Sequence, residues 1–213
     1  MRQVIVCEWM SLDGVVQAPA YADEDTSGGF THGGWHLRYF EERSMRWVVE
    51  NVTRAGGFLF GRRTYEVFAA HWPNASAEEQ ALAQPLNTLP KFVVSRTLRE
   101  PLAWQNSRLL DGDLAQSVAA LKREAGNDLL VIGSTELAAA LLKHDLVDEL
   151  RLMIDPVMLG GGKRFFRDDG LCRRLALATS EMTPTGAILA SYTRSGAESE
   201  ERPDRLPRPP DRA

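Results

Sequence analysis

Leu129-Leu130-Val131-Ile132-Gly133-Ser134-Thr135-Glu136-Leu137-Ala138-Ala139-Ala140-Leu141-Leu142-Lys143 is the stretch on which the reading of the fold turns. Its first four residues are apolar without alternation, which predicts a strand buried on both faces, as in a parallel sheet covered by helices. Gly133-Ser134 breaks the run, and Thr135 to Lys143 has helical composition, so a strand gives way to a helix within three residues. The pattern recurs outward in both directions. Candidate strands are Gln3 to Trp9, Gly57 to Phe60, Lys91 to Ser95, Leu129 to Gly133, Glu149 to Ile154 and Ala187 to Thr193. Leu37, Phe40, Trp47, Val48 and Val52 recur at helical spacing and predict a helix over residues 36 to 54 closed by Gly56. Ser76 and Glu79 form a capping box that opens a second helix, and a third runs from Asp113 to Ala125 with Gly126 as its stop. Strands alternating with helices predict an α/β fold with a mostly parallel sheet. Glu149 to Ile154 begins with polar and apolar residues in alternation, and Pro184 and Gly186 make a turn between Leu175 and Thr193. The last part of the sheet is therefore expected to be antiparallel.

The 213 residues are 44% hydrophobic and 25% charged, enough for one well-buried core without disulfides or a structural metal. The folded part is expected over residues 1–194. From Ser195 onward the chain is rich in proline and charge, with Leu206 its one large aliphatic residue, and is expected to be a disordered tail. The net charge of -4 argues against a nucleic-acid-binding face, so any bound anion must be caught locally. Cys7 and Cys172 form no C-x-x-C pair, Cys7 reads as a core residue, and no apolar run approaches a membrane span; together these suit a cytoplasmic protein. There is no G-x-G-x-x-G. Leu159 to Arg164 fails as a P-loop because Val157 stands six residues before Lys163 and Arg164 replaces the serine or threonine. No zinc-ligand spacing and no G-x-S-x-G occurs.

In open α/β sheets, ligands bind beyond the carboxyl ends of the strands, where the N-H groups of the following helices point outward. Three such ends carry suitable groups. Gly61-Arg62-Arg63-Thr64 follows Phe58 to Phe60 and offers a bare backbone, two guanidinium forks and a hydroxyl, the makings of an anion socket. Ser95-Arg96-Thr97 follows Phe92 to Val94, and Gly133-Ser134-Thr135 opens the fourth helix. Each taken singly also reads as an ordinary cap or solvated helix start. Together they provide enough positive potential for a dinucleotide with an additional phosphate.

Ser11-Leu12-Asp13-Gly14-Val15-Val16, Gly61 to Glu66, Val131 to Ser134, Val147-Asp148-Glu149-Leu150 and Pro156 to Gly162 together resemble the dihydrofolate reductase-like fold. Within it they resemble the reductase domain at the C-terminus of the riboflavin-biosynthesis protein RibD. The resemblance implies a three-layer α/β/α architecture, a homodimer, NADPH as cofactor, and reduction of a pyrimidine- or pteridine-like heterocycle. It maps the adenosine and 2'-phosphate side to Gly61, Arg62, Arg63, Thr64, Ser95 and Arg96, the diphosphate to Gly133, Ser134 and Thr135, and the nicotinamide loop to Asp13, Gly14 and Val15. For a proton route, Asp13 is preferred and Glu41 second, since the first helix offers no aspartate. The glycine-rich loop from Gln17 to Trp35 is long enough for a lid, with Trp35 and His36 at its exit covering the substrate and Phe40 on the helix edge beside it; its acidic middle, Asp23, Glu24 and Asp25, equally suits a disordered insertion. The rival readings are a ligand-binding module without turnover and an NADPH reductase for an unrelated small molecule.

Overall fold

A computed structural model describes residues 1–195. An eight-stranded sheet has the order β4-β3-β2-β5-β1-β6-β8-β7. Its strands are β1 (Val4–Ser11), β2 (Gly57–Gly61), β3 (Lys91–Val94), β4 (Ser107–Leu110), β5 (Leu129–Ile132), β6 (Glu149–Asp155), β7 (Leu175–Met182) and β8 (Ile188–Arg194). The six from β4 to β6 are parallel, while β8 and β7 are antiparallel, as the alternation in β6 and the Pro184-Gly186 turn predict. The tail expected from residue 195 lies, beyond Ser195 itself, outside the described residues. No helix among the described residues is long and apolar enough to cross a membrane.

The unalternating strands feed two cores at once. Leu129 and Val131 join Val4, Val6 and Leu59 on one face, under α4 (Leu114–Arg123) and α5 (Thr135–Lys143). Leu130 and Ile132 join Ile5, Cys7, Phe58 and Phe60 on the other, under α1 (Glu42–Arg54), α2 (Arg62–His71) and α3 (Gln80–Thr88). Cys7 is a buried core residue as expected, and burial pushes its thiol pKa up. Each fully buried leucine or phenylalanine here contributes roughly 1.5–3 kcal/mol.

Several sequence expectations need correction. The first helix starts at Glu42 rather than residue 36, because the Glu41 carboxylate accepts the N-H groups of Arg43 at 2.9 Å and Ser44 at 3.1 Å and sets the cap there. Residues 36 to 40 form a turn in which Leu37 is exposed, so its helical spacing with Phe40 was incidental. The Ser76/Glu79 capping box forms, but it opens a single 3-10 turn that leads into α3. Strands β4 and β7 and the body of α2 escaped prediction. Both missed strands lie at sheet edges, where no continuous apolar run is required.

Lys91 and Glu8 are ionisable residues buried within the cores. The Lys91 ammonium donates to the carbonyl oxygens of Leu86, Leu89 and Asn87 at 2.8, 3.0 and 3.3 Å and lies 4.5 Å from the Trp104 ring centroid, satisfying the end of α3. Glu8, 5% exposed, sits beside Leu152 of β6, and its Oε1 finds no hydrogen-bond partner among the described residues. Burial lifts its pKa to about 8.

Lys91→Met should therefore destabilise the protein by about 2–3 kcal/mol in chemical denaturation, since three carbonyls lose a charged donor; a change under about 0.5 kcal/mol would contradict this assignment. For Glu8, the unfolded chain releases the proton near the ordinary carboxylate pKa, whereas the folded chain holds it to about 8. Between those values the folded state binds more protons, so stability falls as pH rises, and Glu8→Gln removes that slope. Stability curves of wild type and variant that stay parallel from pH 5 to 8 would refute the assignment.

Candidate functional site: the tips of the parallel strands

The tips of β2 and β5 are fastened together by one serine. Ser134 Oγ accepts the Gly61 N-H at 2.9 Å and donates to Thr64 Oγ1 at 2.6 Å. Gly133 and Ser134 are both left-handed, with φ of 61° and 64°. For a serine this conformation costs roughly 1–2 kcal/mol, and the two side-chain bonds offset it. A Cβ on Gly61 would stand 3.0 Å from Ser134 Oγ, so glycine lets the serine approach without being displaced. The consequence is that the N-termini of α2 and α5 open side by side with their first N-H groups unpaired within the helix. Two helix dipoles then present their positive ends to one rim.

The third tip adjoins them, since Val94 of β3 pairs with Gly61. Ser95 Oγ accepts the N-H groups of Leu98 at 3.0 Å and Thr97 at 3.1 Å and closes the turn, leaving Arg96 exposed. Arg62 is engaged by Glu66 at 2.9 Å. The Arg63 side chain is 73% exposed and its nearest acid is Asp25, 4.0 Å away. Thr135 begins α5 beside Ser134.

The S-L-D-G and L-G-G-G segments prove to be one unit. Val15 bridges Arg164 in antiparallel fashion, the Val16 N-H donates to the Lys163 carbonyl at 2.9 Å, and the Phe165 N-H donates to the Gly14 carbonyl at 2.9 Å. Asp13 binds this unit together: Oδ1 accepts Ser11 Oγ at 2.6 Å and the Leu159 N-H at 3.1 Å, and Oδ2 accepts the Gly160 N-H at 2.9 Å. Burial opposes ionisation there, but these hydrogen bonds outweigh it and hold the carboxyl below the usual range. Asp13 is thus occupied as a fastener and holds no proton to give. Glu41 is likewise spent on the α1 cap, and the hydrogen bond from the Arg43 N-H lowers its pKa. Gly14, at φ 84°, has open space where a Cβ would stand. Val15 is fully buried against Ala18, Phe30 and Trp35, so it supports the loop from beneath.

The loop from Gln17 to Trp35 is ordered by specific bonds. The Gln17 amide donates to the carbonyls of Asp25 at 2.9 Å and Ser27 at 3.0 Å and accepts the Lys163 N-H at 2.9 Å, while the Trp35 indole N-H reaches the Gln17 carbonyl at 2.8 Å. Asp25 meets Lys163 Nζ at 2.5 Å. Burial works to raise the Asp25 pKa, yet the bonds from Lys163 and Ser27 bring it to about 2. The loop therefore bridges the glycine-rich segment and the α2 terminus.

Beneath the loop exit lies a cluster that the sequence analysis did not assemble. His36 and Asp155 are 3% and 0% exposed, and His36 Nδ1 lies 2.7 Å from Asp155 Oδ2. Trp9 stacks on the His36 ring at 5.3 Å between centroids, and Phe40 meets that ring edge-on at 5.2 Å. His36 Nε2, Trp9 Nε1 and Asp155 Oδ1 are buried without hydrogen-bond partners among the described residues. Burial raises the Asp155 pKa despite the histidine beside it. A signal existed, because Asp155 ends an apolar strand just before Pro156, but its partner is remote in sequence. Two clefts among the described residues, of about 370 and 640 Å³, flank the C-terminal hairpin.

This geometry can be set beside known proteins. The chain is similar to the uncharacterized protein YyaP of Bacillus subtilis, at 28% identity over 140 residues, spanning 65% of this chain and 73% of that protein. A putative riboflavin biosynthesis protein from Shewanella sp. PV-4 superposes with a TM-score of 0.63 at 22% identity, covering 91% of this chain and 99% of that one. A diaminohydroxyphosphoribosylaminopyrimidine deaminase/5-amino-6-(5-phosphoribosylamino)uracil reductase from Thermotoga maritima gives 0.61 at 12% identity, covering 91% of this chain and 57% of that one. At these identities the two structures show a shared fold. A family model for the RibD C-terminal domain matches residues 2–189, and with the fastened strand tips and the paired S-L-D-G and L-G-G-G segments on view, the chain belongs to the RibD C-terminal domain family.

Proposed function

We propose that this protein is an NADPH-dependent reductase that delivers hydride to a small pyrimidine- or pteridine-like heterocycle, a reading supported by its family and by the shared fold of the Thermotoga maritima uracil reductase. The observation that carries the reading is the Ser134 clasp, which sets two helix N-termini and two hydroxyls around one bare backbone at Gly61. That donor set suits a diphosphate: the first N-H groups of α2 and α5 have no partner within their helices, the Thr64 hydroxyl hydrogen is left to donate, and Gly133 carries no side chain. Arg63 and Arg96, both exposed, suit the 2'-phosphate, with Arg62 steadied by Glu66. Gly14 leaves room for a flat ring beside the β1 tip.

When bound, NADPH supplies the hydride. The residues of this chain bind, orient and exclude water. Asp13 keeps the Ser11–Val15 turn fastened to Leu159 and Gly160, and Gln17, Asp25 and Lys163 hold the loop across the site. Orientation and a dry pocket are what hydride transfer asks of a protein.

A homodimer belongs to the same reading. Strand β7 is a sheet edge exposed along its whole length, with Leu175, Leu177 and Met182 uncovered, and such an edge pairs readily with a second copy about a two-fold axis.

Tryptophan quenching by NADPH and NADH tests the cofactor. Arg63→Ala should weaken NADPH about tenfold more than NADH, since the lost fork pairs with a phosphate only NADPH carries, and Ser134→Ala should weaken both alike. Equal losses in Arg63→Ala would remove the 2'-phosphate assignment, and wild type that binds neither dinucleotide would remove the reading. Sedimentation tests the assembly: a dimer should become a monomer in a Leu177→Glu, Met182→Glu double variant, and a wild-type monomer at all concentrations would refute it.

A further inference from the structure

Asp13 and Glu41 are both occupied, so the reduction lacks a proton source at the places the sequence suggested. The cluster under the loop exit supplies one. Three polar atoms there, His36 Nε2, Trp9 Nε1 and Asp155 Oδ1, are buried and unpaired. Each unpaired buried group costs roughly 1–3 kcal/mol. Such groups gathered in one place point to a polar partner that the site is built to receive.

The place is also right. Asp155 pairs in register with Ser11, the first residue of the Ser11–Val15 turn, so the cluster adjoins the part of the loop assigned to the nicotinamide. Strand β1 lies between β5, whose tip leads into Ser134, and β6, whose tip is Asp155. Two strand spacings, roughly 10 Å, separate phosphate cradle and histidine pair, a distance an extended dinucleotide spans. His36 itself lies in the turn of residues 33 to 39, which is neither strand nor helix and begins at Gly33 and Gly34, the latter at φ 78°. Its neighbour Trp35 is anchored to Gln17 and so to the loop that Asp25 and Lys163 hold down. Release of that loop opens a way to the ring.

We infer that Trp9, His36 and Asp155 form the polar end of the substrate pocket, and that His36, oriented by Asp155, is the catalytic residue that protonates the substrate as it is reduced. The inference rests on the NADPH-reductase reading. In the step, the carbon of a substrate C=N unit gains a C-H bond with an electron pair supplied from NADPH, which is thereby oxidised to NADP+. The displaced π pair moves onto the substrate nitrogen and takes the Nε2 proton of a His36 imidazolium, whose N-H pair stays on the ring and leaves a neutral imidazole. The Nδ1-H stays on the ring and donates to Asp155 Oδ2 throughout, and solvent restores the Nε2 proton after product leaves. Asp155 fixes the ring and its tautomer, and the Trp9 indole N-H is placed to donate to a neighbouring acceptor on the heterocycle.

The full chain tests this in two arms, with 7,8-dihydropterin, which carries a reducible C=N bond, as the probe. In the first arm, NADPH oxidation is compared in wild type, His36→Gln and Asp155→Asn, with NADPH affinity read separately by fluorescence. His36→Gln should lower kcat by about 10²–10³-fold while NADPH affinity stays within about twofold of wild type. Unchanged turnover in His36→Gln would overturn the inference. The second arm needs neither turnover nor a variant: with NADP+ saturating, 7,8-dihydropterin should shift the ¹⁵N resonance of His36 Nε2 in the wild-type protein. The resonances of His71 and His144, at the far ends of α2 and α5, should stay still. A still His36 resonance overturns the proton assignment even if NADPH binds normally, whereas failure of NADPH to bind in the first arm identifies the cofactor reading as the fault.

Discussion

One hydroxyl joins the tips of two neighbouring parallel strands and the helices that follow them. Ser134 holds Gly61 through its backbone and Thr64 through its side chain, and these two bonds compensate a left-handed serine that would otherwise be strained. Without the clasp, the α2 and α5 termini would be two ordinary helix starts on neighbouring strands. With it, they share a rim, and Ser134 packs directly on the bare backbone of Gly61. The rest of the site is arranged around that rim: Ser95 and Arg96 continue it through β3, and the Gln17–Trp35 loop reaches it through Asp25 and Arg63.

Polar groups inside the protein divide into two kinds. Lys91 and Asp13 are buried or half-buried and fully used, closing the end of α3 and fastening two loops. Glu8, Trp9, His36 and Asp155 each carry a buried atom with no partner among the described residues, and all four lie on β1, on β6 or in the turn before α1; Arg43 on α1 and Ser107 on β4 carry one each elsewhere. Satisfied groups of the first kind stabilise the fold. Unsatisfied groups destabilise it, and Trp9, His36 and Asp155 bring three of them together.

The sequence was most legible where one physical demand acted alone. Leu129 to Ile132 had to be apolar on both faces because alternate residues enter different cores, and Thr135 to Lys143 formed as expected. It was least legible at edges and turns. Leu37 and Phe40 matched a helical period without being helical, because the Glu41 cap sets the helix start by a hydrogen bond that no period reports. Arg62 and Arg63 are adjacent and chemically identical, yet one is paired with Glu66 and the other stands largely free.

By itself the sequence determined the α/β alternation, the antiparallel end of the sheet and the three strand tips with their glycines, hydroxyls and arginines, because each of these follows from local composition and period. Tertiary structure alone decided that Asp13 fastens Leu159 and Gly160, that Ser134 clasps Gly61, and that His36 meets Asp155 across 119 residues. These are side-chain contacts between segments distant along the chain, and the geometry of such a contact depends on how the strands are ordered in the sheet, which no local pattern encodes.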